Sequence, residues 1–339
     1  MRKPDFDQVL KALRREKPDR PVLYELFLNG PFYEKLAGRK DSPDPIEHHL
    51  FVLEAMRNAG YDYAPWDSWA NCFSFPQKER ERSATISQNG NGMISDWESF
   101  EKYQWPDMDS CDFDVFDKMN QVMPEGMKMV PLGPGGVLEN VTGILGYDNL
   151  CFMLYEEPEL VQAVFDNVGI RLLKYYEACA QADCVGMLCS NDDWGFNTQT
   201  FLSPADMRKF VFPWHKKIVE AAHRNGKPAI LHSCGYFGDI IEDVIEDMKF
   251  DGRHSYEDGI MPVEEAYETY GSRIAILGGV DMNLVTAGTP EEIYKRARAM
   301  LERTADRGGY LLGSGNSIPD YVPFVNFQAL TRAALEFKD

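Results

Sequence analysis

The feature that most constrains this fold is a repeated alternation of short apolar runs, typical of strands, with longer helical patterns. Eight such runs occur, among them VLYELF, PAILHS and IAILGGV. They cover residues 22–27, 62–66, 128–132, 184–190, 228–233, 251–255, 274–280 and 310–314. Because strands that alternate with helices form parallel sheets, the pattern predicts an α/β fold: a single (β/α)8 TIM-type barrel domain over residues 1–339.

The first third of the chain departs from this alternation and is predicted to be irregular. Residues 83–97 indicate a β-hairpin insertion after the second strand, because an Asn-Gly turn lies between two runs of alternating polarity. Later helices have clear starts. Ser203 and Thr289 are each followed by proline and, three positions on, by an acidic residue, which is a capping pattern.

The acidic composition limits the partners of this chain. With 339 residues and a formal net charge of -19, it should repel nucleic-acid phosphates. No apolar run approaches the roughly 18 residues that span a bilayer, and the amphipathic N-terminus lacks the apolar stretch of a secretory signal. Seven scattered cysteines are interpreted as reduced thiols. We therefore expect a cytoplasmic protein that binds neither nucleic acid nor membrane.

Polar and ionisable residues gather where the predicted strands end. In a parallel barrel the carboxyl ends of the strands meet at one face, and enzymatic sites form there. The residues that follow the strands are Trp66, Asp67, Asp192, Asp193, His232, Cys234, His254, Glu257, Asp281, Ser314 and Asn316. The sequence therefore predicts a functional site at this face.

The clearest chemical signal among these residues is LHSCG, which ends the fifth predicted strand. Side chains alternate along a strand, so His232 and Cys234 leave the same face, about 7 Å apart along the backbone. Imidazole and thiolate together suit zinc, and a catalytic zinc has three protein ligands. Glu257 is the preferred third ligand. The alternative is an inert buried thiol beside a core histidine.

The remaining candidates have a functional and a structural interpretation. Asp67, Asp193 and Glu257 are predicted catalytic carboxylates. Predicted substrate contacts are Trp66, Asp192, Asp281, Ser314 and Asn316, of which Asp281 and Asn316 are also weaker candidates for the third metal ligand. The alternatives are capping and loop-ordering roles for the aspartates and core packing for the tryptophan. His215 and His223, on a helix beside lysines, are interpreted as solvated.

Five motifs carry a resemblance to a known family. They are DDWG at 192–195, SPADMRKFVFPWHKKI at 203–218, LHSCG at 231–235, ILGGVD at 276–281 and GYLLGSGNSIP at 309–319. The chain resembles the uroporphyrinogen decarboxylase superfamily and, more narrowly, its corrinoid-dependent methyltransferase branch. The resemblance implies a (β/α)8 barrel with its site at the carboxyl face. In the methyltransferases, zinc is held by a His-x-Cys pair, which matches His232 and Cys234 here.

The chain also departs from the family pattern. The decarboxylases grip substrate carboxylates with an arginine pair after the first strand, where this chain has ELFLNGPFYEKLAG. A late histidine of the family falls on Ser314, and its pyrrole-binding aspartate would fall on Asp67. The third zinc ligand of the methyltransferases, a cysteine, falls on Asn316. Because a porphyrinogen carries many carboxylates, its decarboxylation is disfavoured without basic partners.

The resemblance implies an enzyme that moves a methyl group between a small methylated substrate or thiol and a corrinoid protein, with zinc assistance. The corrinoid would come from a partner protein, since the chain has no room for a cobalamin domain of its own. Two alternatives stay open: a lyase of the uroporphyrinogen decarboxylase type that acts on a small carboxylated substrate, and a non-catalytic protein that binds a corrinoid or metabolite. A homodimer is compatible with the sequence.

Overall fold

The central feature of the structure is a succession of short parallel strands, each buried along nearly its whole length. The structure is a computed structural model that describes residues 2–66, 73–77 and 92–337. In these residues β1 pairs with β2, and β3 to β7 form a second sheet in chain order. The strands are β1 Tyr63–Trp66, β2 Lys128–Pro131, β3 Leu188–Asn191, β4 Ala229–His232, β5 Gly252–His254, β6 Ala275–Leu277 and β7 Tyr310–Leu311.

Helices connect most of these strands, so the predicted mixed α/β alternation is confirmed. They are α1 Phe6–Leu13, α2 Gly30–Ala37, α3 Pro45–Ala59, α4 Trp97–Lys102, α5 Asp114–Val122, α6 Val137–Leu145, α7 Tyr147–Glu156, α8 Pro158–Gln181, α9 Pro204–Asp206, α10 Phe212–Arg224, α11 Val263–Tyr270, α12 Met282–Ala287, α13 Pro290–Thr304 and α14 Phe324–Leu335. A 3-10 turn covers Met108–Ser110, and π-helical turns cover Met207–Val211 and Asp243–Asp247. The predicted caps form, since Ser203 and Thr289 accept hydrogen bonds from the N–H groups of Asp206 and Glu292.

Single bridges join the two sheets and add an eighth segment. Leu132 pairs with Cys189, which links the end of β2 to β3. The first predicted strand, 22–27, contributes isolated parallel bridges, from Leu23 to Leu312 and, one residue past the predicted end, from Leu28 to Ile318. All of these pairings are parallel, so the carboxyl ends of the segments lie along one edge.

The two ends of this succession, residues 22–28 and β1, are joined by a side chain. The described backbone forms no ladder between them. Instead the Tyr63 hydroxyl accepts a hydrogen bond of 2.8 Å from the Glu25 N–H and donates to the Glu25 carbonyl oxygen. Complete closure into a (β/α)8 barrel therefore stays a prediction.

Other expectations have mixed outcomes. The hairpin predicted over 83–97 falls mainly outside the described residues; its described part, 92–96, is not a strand, and Trp97 begins α4. The expectation of reduced thiols is wrong for Cys111, which is disulfide-bonded, whereas five other described cysteines are free. Across the described ranges, no helix is both long enough and apolar enough to cross a bilayer.

Candidate functional site

Two loops at the carboxyl ends of β3 and β4 meet backbone to backbone. Gly235 has a φ of 86°, and a Cβ at this position would lie 2.0 Å from the carbonyl oxygen of Gly195, so a side chain is excluded. The Tyr236 N–H donates to the Phe196 carbonyl at 2.7 Å. This close approach brings the DDWG and LHSCG motifs together at the edge where the site is predicted.

Asp193, His232 and Cys234 converge at this contact. The Cys234 N–H donates to Asp193 Oδ1 at 3.0 Å, and Cys234 Sγ lies 3.7 Å from His232 Nε2. One ligand atom of each residue lies within 4.8 Å of the others. Nitrogen, sulfur and carboxylate oxygen are the donors that zinc takes in proteins, and three is the number in catalytic zinc sites. The residues present therefore fit a zinc ion.

The third member of this set differs from the one we expected. Glu257, the preferred third ligand, is not among the residues whose ligand atoms converge in the described chain. Asp193, which we predicted as a catalytic carboxylate, stands there instead. Glu257 is half-buried nearby, and its pKa is raised by burial and by the negative charge of Asp281.

The sulfur of Cys234 receives two hydrogen bonds besides its contact with His232. The Asn316 side-chain amide donates to Sγ at 3.2 Å, and the Ser255 hydroxyl lies 3.5 Å away. Burial raises the pKa of the Cys234 thiol to about 12, and Asp193 adds to the rise. Asn316 thus presents N–H groups to the sulfur, and its amide oxygen accepts from the Ser317 N–H at 2.7 Å. In the described structure Asn316 is therefore a hydrogen-bond donor to the sulfur.

Behind His232 lies a second imidazole. His232 Nδ1 is 2.8 Å from His254 Nδ1, and His254 Nε2 is 3.2 Å from the carbonyl oxygen of Ser314. Burial lowers the pKa of His232 to about 4. It lowers the pKa of His254 well below its usual range, with His232 as the second cause. Both rings are thus held among buried groups that disfavour the charged imidazolium.

Ser314 is fully buried, and its contacts do not support the predicted role in substrate binding. Its N–H donates to Glu25 Oε1 at 2.9 Å, and its hydroxyl lies 2.6 Å from Glu25 Oε2. Burial raises the pKa of Glu25 to about 8, against hydrogen bonds from Ser314 that lower it. A protonated Glu25 can donate to the serine hydroxyl, which in turn donates to the Asn316 carbonyl at 2.5 Å. Ser314 therefore joins the first segment to the seventh strand.

Asp192 lies in a sealed cluster, which favours the structural interpretation of this residue. Its carboxylate accepts from the N–H groups of Leu138 and Glu139 at 2.9 Å and so caps α6. It also lies 2.9 Å from His215 Nε2, and His215 Nδ1 lies 2.9 Å from Ser190 Oγ. The prediction that His215 is solvated is wrong, because its ring is buried here. Although this cluster has the residue types of a hydrolase triad, its three members are at most 1 % exposed and cannot meet a substrate.

Asp281 also has the partners of a capping residue. Its two oxygens accept from the N–H groups of Asn283 at 2.7 Å and Asp258 at 2.9 Å, and it is the N-cap of α12. Burial by itself raises its pKa, but these hydrogen bonds outweigh burial and the pKa is lowered. These contacts support the alternative weighed above, a role in ordering the loop after β6.

Two candidates, Trp66 at the end of β1 and Asp67 next in sequence, have different outcomes. Trp66 is almost fully buried and stacks on His49, with ring centroids 3.7 Å apart and an interplanar angle of 17°. This contact supports core packing rather than substrate contact. The predicted catalytic residue Asp67 lies outside the described residues.

Sequence reasoning missed three ionisable residues near this site, and it placed His254 at the predicted face without giving it a role. Glu25 and Arg253 lie inside predicted strands, and a charged side chain there is the signal that could have identified them. Arg253 is fully buried and donates to the carbonyls of Ser255 and Ser233. The third, Glu139, stands in the first turn of α6. Burial, then Asp192 and Asp193, raise the pKa of its carboxyl to about 8.

A cavity of about 170 Å³ opens at the same edge as the cluster, on the side of β1 and β2. Its walls are mostly apolar and aromatic; they include Phe27, Tyr33, His48, Pro65 and Leu132. Pro65 belongs to β1 and Leu132 directly follows β2, so this space lies at the carboxyl ends of the strands. An apolar cavity of about 150 Å³ can hold one benzene molecule, so this space suits a small organic group of similar size.

Known proteins resemble this chain in sequence. The family model for Uroporphyrinogen decarboxylase (URO-D) matches residues 102–337. Among curated relatives, the uroporphyrinogen decarboxylase of Geobacter metallireducens is 27% identical over 172 residues, which is 50% of this chain and 47% of the relative. The methylated-thiol--coenzyme M methyltransferase of Methanosarcina mazei is 24% identical over 194 residues, 57% of this chain and 49% of the relative. The chain spans about half the length of the curated relatives it matches.

A solved structure extends the likeness over the whole fold. A methyltransferase from Methanosarcina mazei superimposes with a TM-score of 0.71 and covers 97% of both chains at 17% sequence identity. At this identity the match demonstrates a shared fold.

Proposed function

Since the chain belongs to the uroporphyrinogen decarboxylase family, we propose that it is a zinc-assisted methyltransferase. It would move a methyl group between a small methylated substrate or thiol and a corrinoid carried by a partner protein. The observation that carries the proposal is the convergence of Asp193, His232 and Cys234 within 4.8 Å at the carboxyl ends of the strands. A curated relative named methylated-thiol--coenzyme M methyltransferase supports sulfur compounds as substrates.

The chain's own residues would hold the metal through three ligands and leave one coordination position free for the substrate. The ligand atoms would be Cys234 Sγ, one Asp193 oxygen and His232 Nε2, the ring nitrogen that faces the sulfur. When bound, zinc supplies a Lewis acid that lowers the pKa of a thiol or polarises a methoxy-type oxygen. Asn316 and Ser255 donate hydrogen bonds to the sulfur and keep it oriented toward His232. The apolar cavity beside β1 and β2 offers a place for a small organic substrate.

The charge of the strand ends disfavours the competing function, decarboxylation of a polycarboxylate. The segments that follow β2 to β7 contain Asp192, Asp193, Glu257, Asp258 and Asp281 but no lysine or arginine in 132–136, 192–196, 233–236, 255–259, 278–281 and 312–317. Arg253, at the end of β5, is engaged with two backbone carbonyls. A substrate with several carboxylates needs basic partners, which these segments do not offer.

The proposal includes the wider architecture and setting of the enzyme. The eight segments would close into one (β/α)8 barrel domain over 1–339, with the Tyr63 hydroxyl at the junction of its first two segments. The enzyme would work in the cytoplasm beside the corrinoid protein, and a homodimer is compatible with this arrangement.

The test combines metal analysis with a methyl-transfer assay. The purified chain is loaded with zinc and mixed with free cob(I)alamin and a methylated thiol, and the spectrum is followed for methylcobalamin. In this reaction the carbon–sulfur bond breaks, the carbon–cobalt bond forms and the thiolate leaves. We expect one zinc per chain and methylcobalamin formation, both lost in His232→Ala and both kept in the surface variant His223→Ala.

Two results would contradict this function. The first is a reduced wild-type protein that binds no zinc. The second is release of carbon dioxide from a small carboxylic acid at the same rate in wild type and His232→Ala, which would establish the lyase alternative instead.

A further inference from the structure

A chain of three groups runs from the seventh strand to the metal-binding set. The Ser314 carbonyl oxygen lies 3.2 Å from His254 Nε2, His254 Nδ1 lies 2.8 Å from His232 Nδ1, and His232 Nε2 faces Cys234. The first contact passes over β6, from the end of β7 to β5, and the second joins the neighbouring strands β5 and β4. The order of the hydrogen atoms along this chain decides which nitrogen of His232 is free to bind a cation.

Hydrogen-bond directions fix that order from one end. A carbonyl oxygen can only accept, so His254 Nε2 carries a hydrogen. A neutral His254 then accepts at Nδ1, and the 2.8 Å bond requires His232 Nδ1 to donate. His232 therefore has its hydrogen on Nδ1 and an unprotonated Nε2, and Nε2 is the atom that faces the sulfur of Cys234 at 3.7 Å.

The surroundings of His254 are built to keep this arrangement. Gly278 has a φ of 69°, and a Cβ there would lie 2.8 Å from His254 Nε2 and 2.2 Å from the Ser314 oxygen. Any other residue at this position would occupy the space of the contact. On another side the Tyr24 ring packs edge-on against His254, with centroids 4.8 Å apart. Gly278, which has no side chain, and the ring of Tyr24 thus confine the imidazole of His254.

We propose that His254 is a positioning residue that, held by the Ser314 carbonyl, keeps His232 in the tautomer whose Nε2 binds the metal. The inference rests on the proposed metal site and adds a residue that the ligand set does not contain. Hydrogen-bonded partners behind a metal-binding histidine typically change metal affinity by about 10–100-fold when they are removed. His254 is expected to act at this level.

Two substitutions test the two ring nitrogens of His254 separately. His254→Asn places an amide oxygen near the position of Nδ1, so an acceptor for His232 is kept. His254→Gln places an amide nitrogen near the position of Nε2, so the donor to Ser314 is kept and the acceptor is lost. We expect zinc affinity, measured by chelator competition, to fall about 10–100-fold in His254→Gln and in His254→Phe, but by less than about threefold in His254→Asn. His223→Asn, on the exposed face of α10, is the matched control and should bind zinc as the wild type does.

A spectroscopic measurement tests the tautomer without metal. The chain has six histidines, so nitrogen-15 labelling of histidine alone gives a spectrum that the single variants can assign. We expect His232 to be protonated at Nδ1 and His254 at Nε2. A His232 protonated at Nε2 would overturn the inference, and so would a His254 protonated at both nitrogens.

The outcomes distinguish this inference from the function on which it rests. If the wild type binds no zinc, the proposed function fails. If the wild type binds zinc and folded His254→Gln and His254→Phe bind it equally well, the function stands and the positioning role is wrong. Near-ultraviolet circular dichroism of each variant establishes whether it is folded.

Discussion

Two neighbouring aspartates, Asp192 and Asp193, belong to two clusters with similar chemistry and different surroundings. Asp192 joins His215 and Ser190 between β3 and the helices that cover it, where all three side chains are sealed. Asp193 joins His232 and Cys234 at the strand ends, where Asp193 and Cys234 are partly exposed. An aspartate–histidine pair therefore holds the structure together on one side of the end of β3 and forms part of a candidate site on the other.

Accessibility, more than residue type, separates the two clusters. Asp192 satisfies two N–H groups of a helix start and an imidazole, so every oxygen is occupied by the protein itself. Asp193 receives one backbone hydrogen bond, from Cys234, and has capacity for a further ligand. Removing the Asp192 carboxylate should therefore mainly lower stability, whereas removing the Asp193 carboxylate should mainly lower metal affinity.

The largest expected effect is on stability at the sealed cluster. Asp192→Ala leaves two helix N–H groups and a buried imidazole without their acceptor and should lower the free energy of unfolding by about 3–5 kcal/mol. Asp193→Ala removes one hydrogen bond at a partly exposed position and should cost about 1 kcal/mol. Urea unfolding of both variants measures the difference. Equal losses would show that the two clusters do not differ as described.

The next effect is on metal binding at the open cluster. Asp193→Ala, His232→Ala and Cys234→Ala should each lower zinc affinity by about a hundredfold or more, since even outer partners of a ligand contribute 10–100-fold. Ser190→Ala, in the sealed cluster, should leave it unchanged. Chelator competition on the reduced protein gives both values. Unchanged affinity in Asp193→Ala would remove this residue from the ligand set.

The buried carboxyl of Glu25 extends the comparison to the pH dependence of stability. Glu25 is as buried as Asp192 but has Ser314 as its partner in place of an imidazole, and burial raises its pKa to about 8. Between the unfolded pKa near 4.5 and the folded value, the folded chain keeps a proton that the unfolded chain has released. Stability contributed by this group is therefore complete below pH 4.5 and is lost as pH rises toward 8, by about 1.4 kcal/mol per pH unit.

Glu25→Gln tests this linkage, because glutamine keeps the hydrogen bonds of the protonated acid without its titration. The difference in unfolding free energy between variant and wild type should grow in favour of the variant from pH 5 to pH 8. Parallel pH profiles for the two proteins would mean that Glu25 is not buried as a neutral acid.

The smallest effect concerns Asn316, which donates to the sulfur of Cys234 at 3.2 Å. Asn316→Cys places a second thiol beside the set and should tighten zinc binding by about tenfold under reducing conditions, since thiolates are favoured zinc ligands. Asn316→Ser is the control of similar size and should not tighten it. An unchanged affinity in the cysteine variant would mean that residue 316 does not reach the metal position.

Much of the fold could be predicted because its signals are local. Apolar runs located the seven strands, and Ser203 and Thr289 revealed helix starts by their own spacing. His232 and Cys234 could be paired because both lie on one extended segment. The position of Asp193 depends on the contact of Gly195 with Gly235, between loops about 40 residues apart in sequence, and no local pattern encodes it.

The errors have a similar origin. His215 stands next to lysines, which suggested a wet position, yet it lies four residues before Val219 on the buried face of α10. One helical turn, rather than the adjacent residues, decides its surroundings. Glu257 was preferred because it stands three residues past His254 at the end of the neighbouring strand, but a loop from the other side of β4 supplies the converging carboxylate.

The phenol of Tyr63 has a mechanical consequence. Among the described residues, this one hydroxyl supplies the hydrogen bonds between residues 22–28 and β1, whereas neighbouring segments elsewhere share backbone pairing, so we expect this junction to open more easily than the others. The cavity wall includes Phe27 and Pro65, one from each side of that junction. Opening of this junction would move these two residues apart and widen the cavity between them.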